Sequence, residues 1–93
     1  MKYDIILTTA FKKELRSIKK RNKDLSKLTK VVNELASGKE LDIKYRDHAL
    51  ANNLRFKDWR ECHIEPDWLL VYKKNQSQLT LFLIETGTNS DLF

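Results

Sequence analysis

Residues 3–8, YDIILT, set a short apolar run rich in β-branched side chains between polar ends, which predicts a strand. The period then changes. Phe11, Leu15 and Ile18 recur at helical spacing, while Lys12, Lys13, Arg16 and Lys19 face away. Thr8 and Thr9 are placed to cap this first helix, which frays near KRNKD. Asp24 is a candidate N-cap for a second helix, whose apolar stripe is Leu25, Leu28, Val31, Val32 and Leu35. Gly38 stands where a C′ residue would end it. Two amphipathic helices joined by a few residues are expected to pack as an antiparallel pair.

Residues 39–53 have weak periodicity and a turn-like ANN, so they read as a surface loop carrying His48. Three β-like segments follow: LRFKDWRECHI, DWLLVYK and LTLFLIET. Pro66 makes EPD a tight turn between the first two, and KKNQSQ is the polar turn between the next two. The order is β-α-α-β-β-β. Helices gathered before an antiparallel meander predict an α+β fold with both helices on one face of the sheet. Without repeats, low-complexity stretches or linkers, residues 1–93 read as one domain.

A chain of 93 residues buries more than about 60 % of its unfolded surface and folds without staples. Its 41 % hydrophobic and 33 % charged residues fit a soluble globular protein. The single cysteine, Cys62, excludes an internal disulfide framework and suggests a reduced thiol in a cytoplasmic protein. No apolar run approaches the ~20 residues of a membrane span, and the N-terminal apolar run is too short for a secretory signal. The net charge of +5 favours an acidic partner without naming it. Its distribution is uneven: residues 12–30 hold nine Lys or Arg against two acids.

The chemistry concentrates in residues 58–68, DWRECHIEPDW. Strand alternation puts Trp59, Glu61, His63 and Glu65 on one face and Arg60, Cys62 and Ile64 on the other. Cys62 and Ile64 read as core, so Glu61 and His63 are expected on an open face, roughly 6–7 Å apart at Cα. Asp67, just past the turn, is expected beside them. A histidine with neighbouring carboxylates suits proton transfer near neutrality. With cations nearby, it suits cleavage of an RNA phosphodiester by its own 2′-hydroxyl, which needs no metal. Patterning alone also admits a plainer reading, in which these are exposed residues of a hairpin, His48 is a surface residue, the tryptophans cover core edges and the helix lysines form a solvated face.

YRDHAL, WRECHIEPDWLLVYK and GTNSDLF carry a resemblance. Together they resemble the YafQ branch of the RelE/ParE superfamily, small bacterial mRNA interferase toxins of type II toxin–antitoxin pairs. The resemblance implies a RelE-like fold, a twisted, mainly antiparallel sheet with two helices on it. It implies metal-independent mRNA cleavage by 2′-hydroxyl attack, on the ribosome, with no cofactor, inhibiting translation. The implied partners are mRNA, the ribosome and a cognate antitoxin, with no membrane. The family's catalytic positions fall on His48, Glu61, His63, Asp67 and Asn89. His48 and His63 are the implied acid and base, and Asp67 would orient or tune a histidine. Phe93 would stack on an RNA base, a contact worth ~1–3 kcal/mol. Arg55, Lys57, Lys44 and Arg60 are the candidate phosphate contacts, although strand parity puts Arg60 on the Cys62 side.

The chain departs from the pattern at Asn89, where relatives often carry histidine. Asparagine can donate a hydrogen bond but cannot exchange a proton near pH 7. Ala49 and Asn53 stand where proline and glycine are common. Two other readings compete with the enzyme. One is a non-catalytic toxin, ParE-like and acting on a protein target, or degenerate and binding only its antitoxin. The other is a generic basic RNA-binding domain, which would want exposed sheet aromatics that this chain buries.

Overall fold

The computed structural model describes residues 2–50, 58–88 and 92. Strand β1 (Asp4–Leu7) leads into α1 (Thr9–Lys20) and α2 (Leu25–Ala36). A single 3₁₀ turn (Ile43–Tyr45) precedes the two-residue strand β2 (His48–Ala49). Strands β3 (Trp59–Glu65), β4 (Trp68–Asn75) and β5 (Thr80–Gly87) complete a five-stranded sheet of order β1-β5-β4-β3-β2. Only β1 runs parallel to its neighbour, β5; the other pairs are antiparallel. The α+β class and the two N-terminal helices match the sequence reading. The strand inside residues 39–53 does not, since the sequence there predicts a surface loop.

The helix signals act as read. Thr8 Oγ1 accepts from the Phe11 amide at 3.0 Å and caps α1. The Asp24 carboxylate caps α2 through the Ser26 amide. Gly38, at φ +80°, occupies the left-handed position just beyond the α2 C-cap, Ser37. Asn22, at φ 58°, does the same after α1. Helix α1 packs along β5 and α2 reaches β3. Phe11, Ile18, Leu28, Val31 and Leu35 join Cys62, Leu70, Tyr72 and Leu81 in one core on the helix side of the sheet. The tight turn at Pro66 and Asp67 joins β3 to β4, as its sequence predicts.

Two expectations about the sheet fail. The face turned away from the helices is not open along its centre: Leu69 and Val71 are buried there, outside the helix-side core. Strand β4 is central and its WLLVY run is continuous, which is the signature of a strand buried on both faces. Trp68 does not cover a core edge. It is fully buried, and its indole N–H donates to Thr86 Oγ1 at 2.9 Å, which in turn donates to the Leu69 carbonyl.

Candidate active site

Directly opposed residues in an antiparallel sheet share a face. The register sets His48 opposite Glu61, and Glu61 opposite Val71. One row along, His63 lies opposite Leu69. Pairing of β2 therefore brings His48 onto the face of Glu61 and His63, across thirteen residues of chain. The imidazole centroids are 6.4 Å apart with the planes tilted by 34°. Glu61 sits between them, its Oε1 3.6 Å from His48 Nε2 and 3.9 Å from His63 Nε2. Glu61 is 8 % exposed, so it is a buried carboxylate and not the exposed one expected. The His48 side chain is half exposed, and that of His63 is more covered.

Backbone carbonyls fix both rings. His48 Nδ1 lies 2.7 Å from the Arg46 carbonyl oxygen, and His63 Nδ1 lies 3.1 Å from that of Pro66. A carbonyl oxygen only accepts, so each Nδ1 carries a hydrogen and donates it. Each Nε2 is then the atom that gains or loses a proton, and both Nε2 atoms face Glu61. Arg46 supplies its carbonyl from a left-handed backbone, φ 50° and ψ 42°, as the cap of the 3₁₀ turn. The β3–β4 turn presents Pro66. Neither carbonyl has a sequence signal, since the backbone makes the contact. The group that meets His63 Nδ1 is the carbonyl just before Asp67. Among the described residues, no hydrogen bond or ion pair joins the Asp67 carboxylate to either histidine.

Asp67 lies with His63 on a cleft of about 730 Å³, whose other walls include Lys27 and Lys30 of α2, and Lys44, Tyr45 and Arg46. Lys27 is committed to Glu65 at 2.7 Å, with Lys23 at 3.5 Å from the same carboxylate. Lys27 and then Lys23 hold the Glu65 carboxyl below its ordinary range. Lys30 and Arg46 have no carboxylate partner among the described residues, and Lys44 Nζ hangs 5.2 Å over the Tyr45 ring. Lys44, a candidate phosphate contact by sequence, lines this cleft. Lys30 and Arg46 were missed, although Lys27 and Lys30 share one face of α2 by their spacing.

Arg60 is not in this group. Its side chain emerges on the helix side of the sheet edge, where Nε donates to Asp47 Oδ1 at 3.2 Å and lies 3.3 Å from Tyr72 Oη. Strand parity decides its place, because Arg60 pairs with Tyr72, which is core. Cys62 is fully buried, and burial pushes its thiol well above the ordinary thiol range, so it is inert packing. Arg55, Lys57, Asn89 and Phe93 lie outside the described residues. Among the described residues, no group of three or more His, Cys, Asp or Glu side chains is arranged to hold a metal ion.

A small mixed sheet with two N-terminal helices on one face is a fold that known proteins share. A metal-bound toxin from Helicobacter pylori is 44 % identical, with a TM-score of 0.90 over 98 % of this chain and 99 % of its own. A chain of the DinJ–YafQ complex from E. coli is 35 % identical, with a TM-score of 0.88 over 98 % of each chain. The mRNA interferase toxin YafQ of E. coli strain B / BL21-DE3 is 35 % identical over 91 residues, 97 % of this chain and 95 % of its own length. Residues 3–93 match the family described as bacterial toxin of type II toxin–antitoxin system, YafQ. The chain belongs to that family.

Proposed function

We propose that the chain is the toxin of a type II toxin–antitoxin pair and an endoribonuclease that cleaves mRNA through His48 and His63. The observation that carries the chemistry is the pair of Nε2 atoms turned toward one point beside Glu61. With ring centroids 6.4 Å apart, both Nε2 atoms can reach one phosphodiester seated on the solvent side of Glu61. One neutral Nε2 takes the proton of the 2′-hydroxyl. That oxygen attacks the adjacent phosphorus, and the 5′-oxygen leaves with a proton from the other, protonated Nε2. The products are a 2′,3′-cyclic phosphate and a 5′-hydroxyl. Glu61, close to both Nε2 atoms, balances the imidazolium charge. Lys30, Lys44 and Arg46 line the path for flanking phosphates, and their N–H groups neutralise the charge that builds on the phosphorane.

By this reading Asp67 acts at the cleft floor, next to His63 and apart from the proton relay. Phe93, Arg55 and Lys57 remain proposed RNA contacts, and Asn89 a proposed hydrogen-bond donor to the phosphate. The protein works in the cytoplasm on mRNA held by the ribosome, and its cognate antitoxin covers the basic face. No described helix is long and apolar enough to cross a membrane.

The test is inducible expression in bacteria of the wild type beside His63→Ala, with growth followed and 5′ ends mapped on translated mRNAs. Growth arrest with new mRNA ends, both lost in the variant, is the expected result. Arrest that survives the substitution without new ends would move the target from RNA to a protein.

A further inference from the structure

Behind His48, on the helix side of the sheet, three side chains outside the reacting group form a closed cluster. Asp47 Oδ1 accepts from Tyr72 Oη at 2.7 Å and from Arg60 Nε at 3.2 Å. Arg60 and Tyr72 are cross-strand neighbours on β3 and β4, so the clamp rests on two interior strands. Tyr72 is 1 % exposed and cannot move away. Burial, and then donation to Asp47, push its hydroxyl far above the ordinary phenol range, so it stays a donor.

Asp47 immediately precedes His48, and the two side chains leave opposite faces of the same short segment. Arg46, on the other side of Asp47, holds a left-handed backbone that a non-glycine residue keeps only where its surroundings over-determine it. Its carbonyl is the group that fixes the His48 ring. Strand β2 has two residues and lies at the sheet edge, so its own ladder holds this segment weakly.

We propose that Asp47 is a positioning residue for RNA cleavage: gripped by Arg60 and Tyr72, it fixes the Arg46–His48 segment so that His48 donates through Nδ1 to Arg46 and aims Nε2 at Glu61. The catalytic part rests on the reading of His48 as a proton-transfer group; the positioning part does not. His63 is held separately by the β3–β4 turn, so the clamp acts on one histidine only.

The experiment uses the full chain as Asp47→Ala, Asp47→Asn and Tyr72→Phe, with two readouts. Imidazole ¹⁵N shifts report which ring nitrogen of each histidine carries the proton, and single-turnover cleavage of a saturating RNA reports chemistry apart from binding. Asp47→Ala should move the His48 nitrogens from one Nδ1–H tautomer to a mixture and leave His63 unchanged. It should slow single-turnover cleavage about tenfold or more, as loss of a partner behind a reacting group commonly does. Asparagine keeps an acceptor for both donors and should restore both readouts. If Asp47→Ala fails to fold by circular dichroism, Tyr72→Phe removes one hydroxyl and is read the same way. Unmoved His48 signals in a folded variant would overturn the clamp, whatever the rate. Moved signals with undiminished cleavage would overturn the role of His48 in the reaction and, with it, the catalytic reach of Asp47.

Discussion

Replacing one imidazole by a methyl group removes either the base or the acid of the proposed pair, and with it the proton path at one end of the phosphodiester. General acid–base groups contribute about 10²–10⁴-fold each, so His48→Ala and His63→Ala should each slow single-turnover cleavage by about that factor. Because both Nε2 atoms meet the same carboxylate, the two should behave as one unit. The double variant is then expected to be hardly slower than the worse single one. Rates that multiply would instead mean that the histidines act in separate steps. Glu85 gives a prediction about stability. Burial raises its carboxyl above the ordinary glutamate value, and no described partner offsets the cost. The native state therefore keeps this proton to higher pH than the unfolded chain does. Stability is greatest below the unfolded value, falls as pH rises through the native value, and is flat beyond it. Glu85→Gln should raise the urea midpoint at neutrality and leave it unchanged in acid; an equal rise at both would show a packing effect.

The elements carry the site by their ends and edges, and the start of α1 is the most exposed to test. Thr8 Oγ1 accepts from the Phe11 amide at 3.0 Å and donates to the Ile84 carbonyl at 2.7 Å, so one hydroxyl caps the helix and ties it to β5. Thr8→Ala should cost about 1–2 kcal/mol, seen as a lower urea midpoint with an unchanged slope. A changed slope would mean that the substitution alters the unfolded ensemble instead. This cap was legible in the sequence, as were both helices, the β3–β4 turn and the shared face of Glu61 and His63. Each rests on local period or local turn chemistry. Strand β2 was not legible, because two residues have no period and their pairing is decided by a partner twelve or so positions on. The burial of Glu61 followed from β4 being packed on both sides, and WLLVY carried that signal as an unbroken apolar run. The place of Arg60 is legible from strand parity, which sets it with Cys62, against the phosphate contact that the resemblance implies. The carbonyls of Arg46 and Pro66 lay beyond any pattern of side chains.

For the molecule as a whole, the excess of positive charge matters less than where it is free. Residues 12–30 hold nine cations, but Lys23 and Lys27 are spent on Glu65. On the other side of the sheet edge, Arg60 is spent on Asp47. In the cleft beside His63, Lys30, Lys44 and Arg46 have no carboxylate partner among the described residues. Binding of single-stranded RNA releases counterions, and log K falls with log salt by about 0.7 for each phosphate neutralised. In the cleavage-deficient His63→Ala background, titrations at several salt concentrations measure that slope directly. Lys30→Ala and Lys44→Ala should each make it shallower by about 0.7. Arg60→Gln should leave it unchanged while lowering stability, because a guanidinium facing Asp47 and Tyr72 meets no phosphate. A shallower slope in Arg60→Gln, with none in the two lysine variants, would put the RNA along the β2–β3 edge and out of the cleft. The net charge of the chain cannot distinguish these paths, since each substitution removes the same single charge. Only the partner of each cation does.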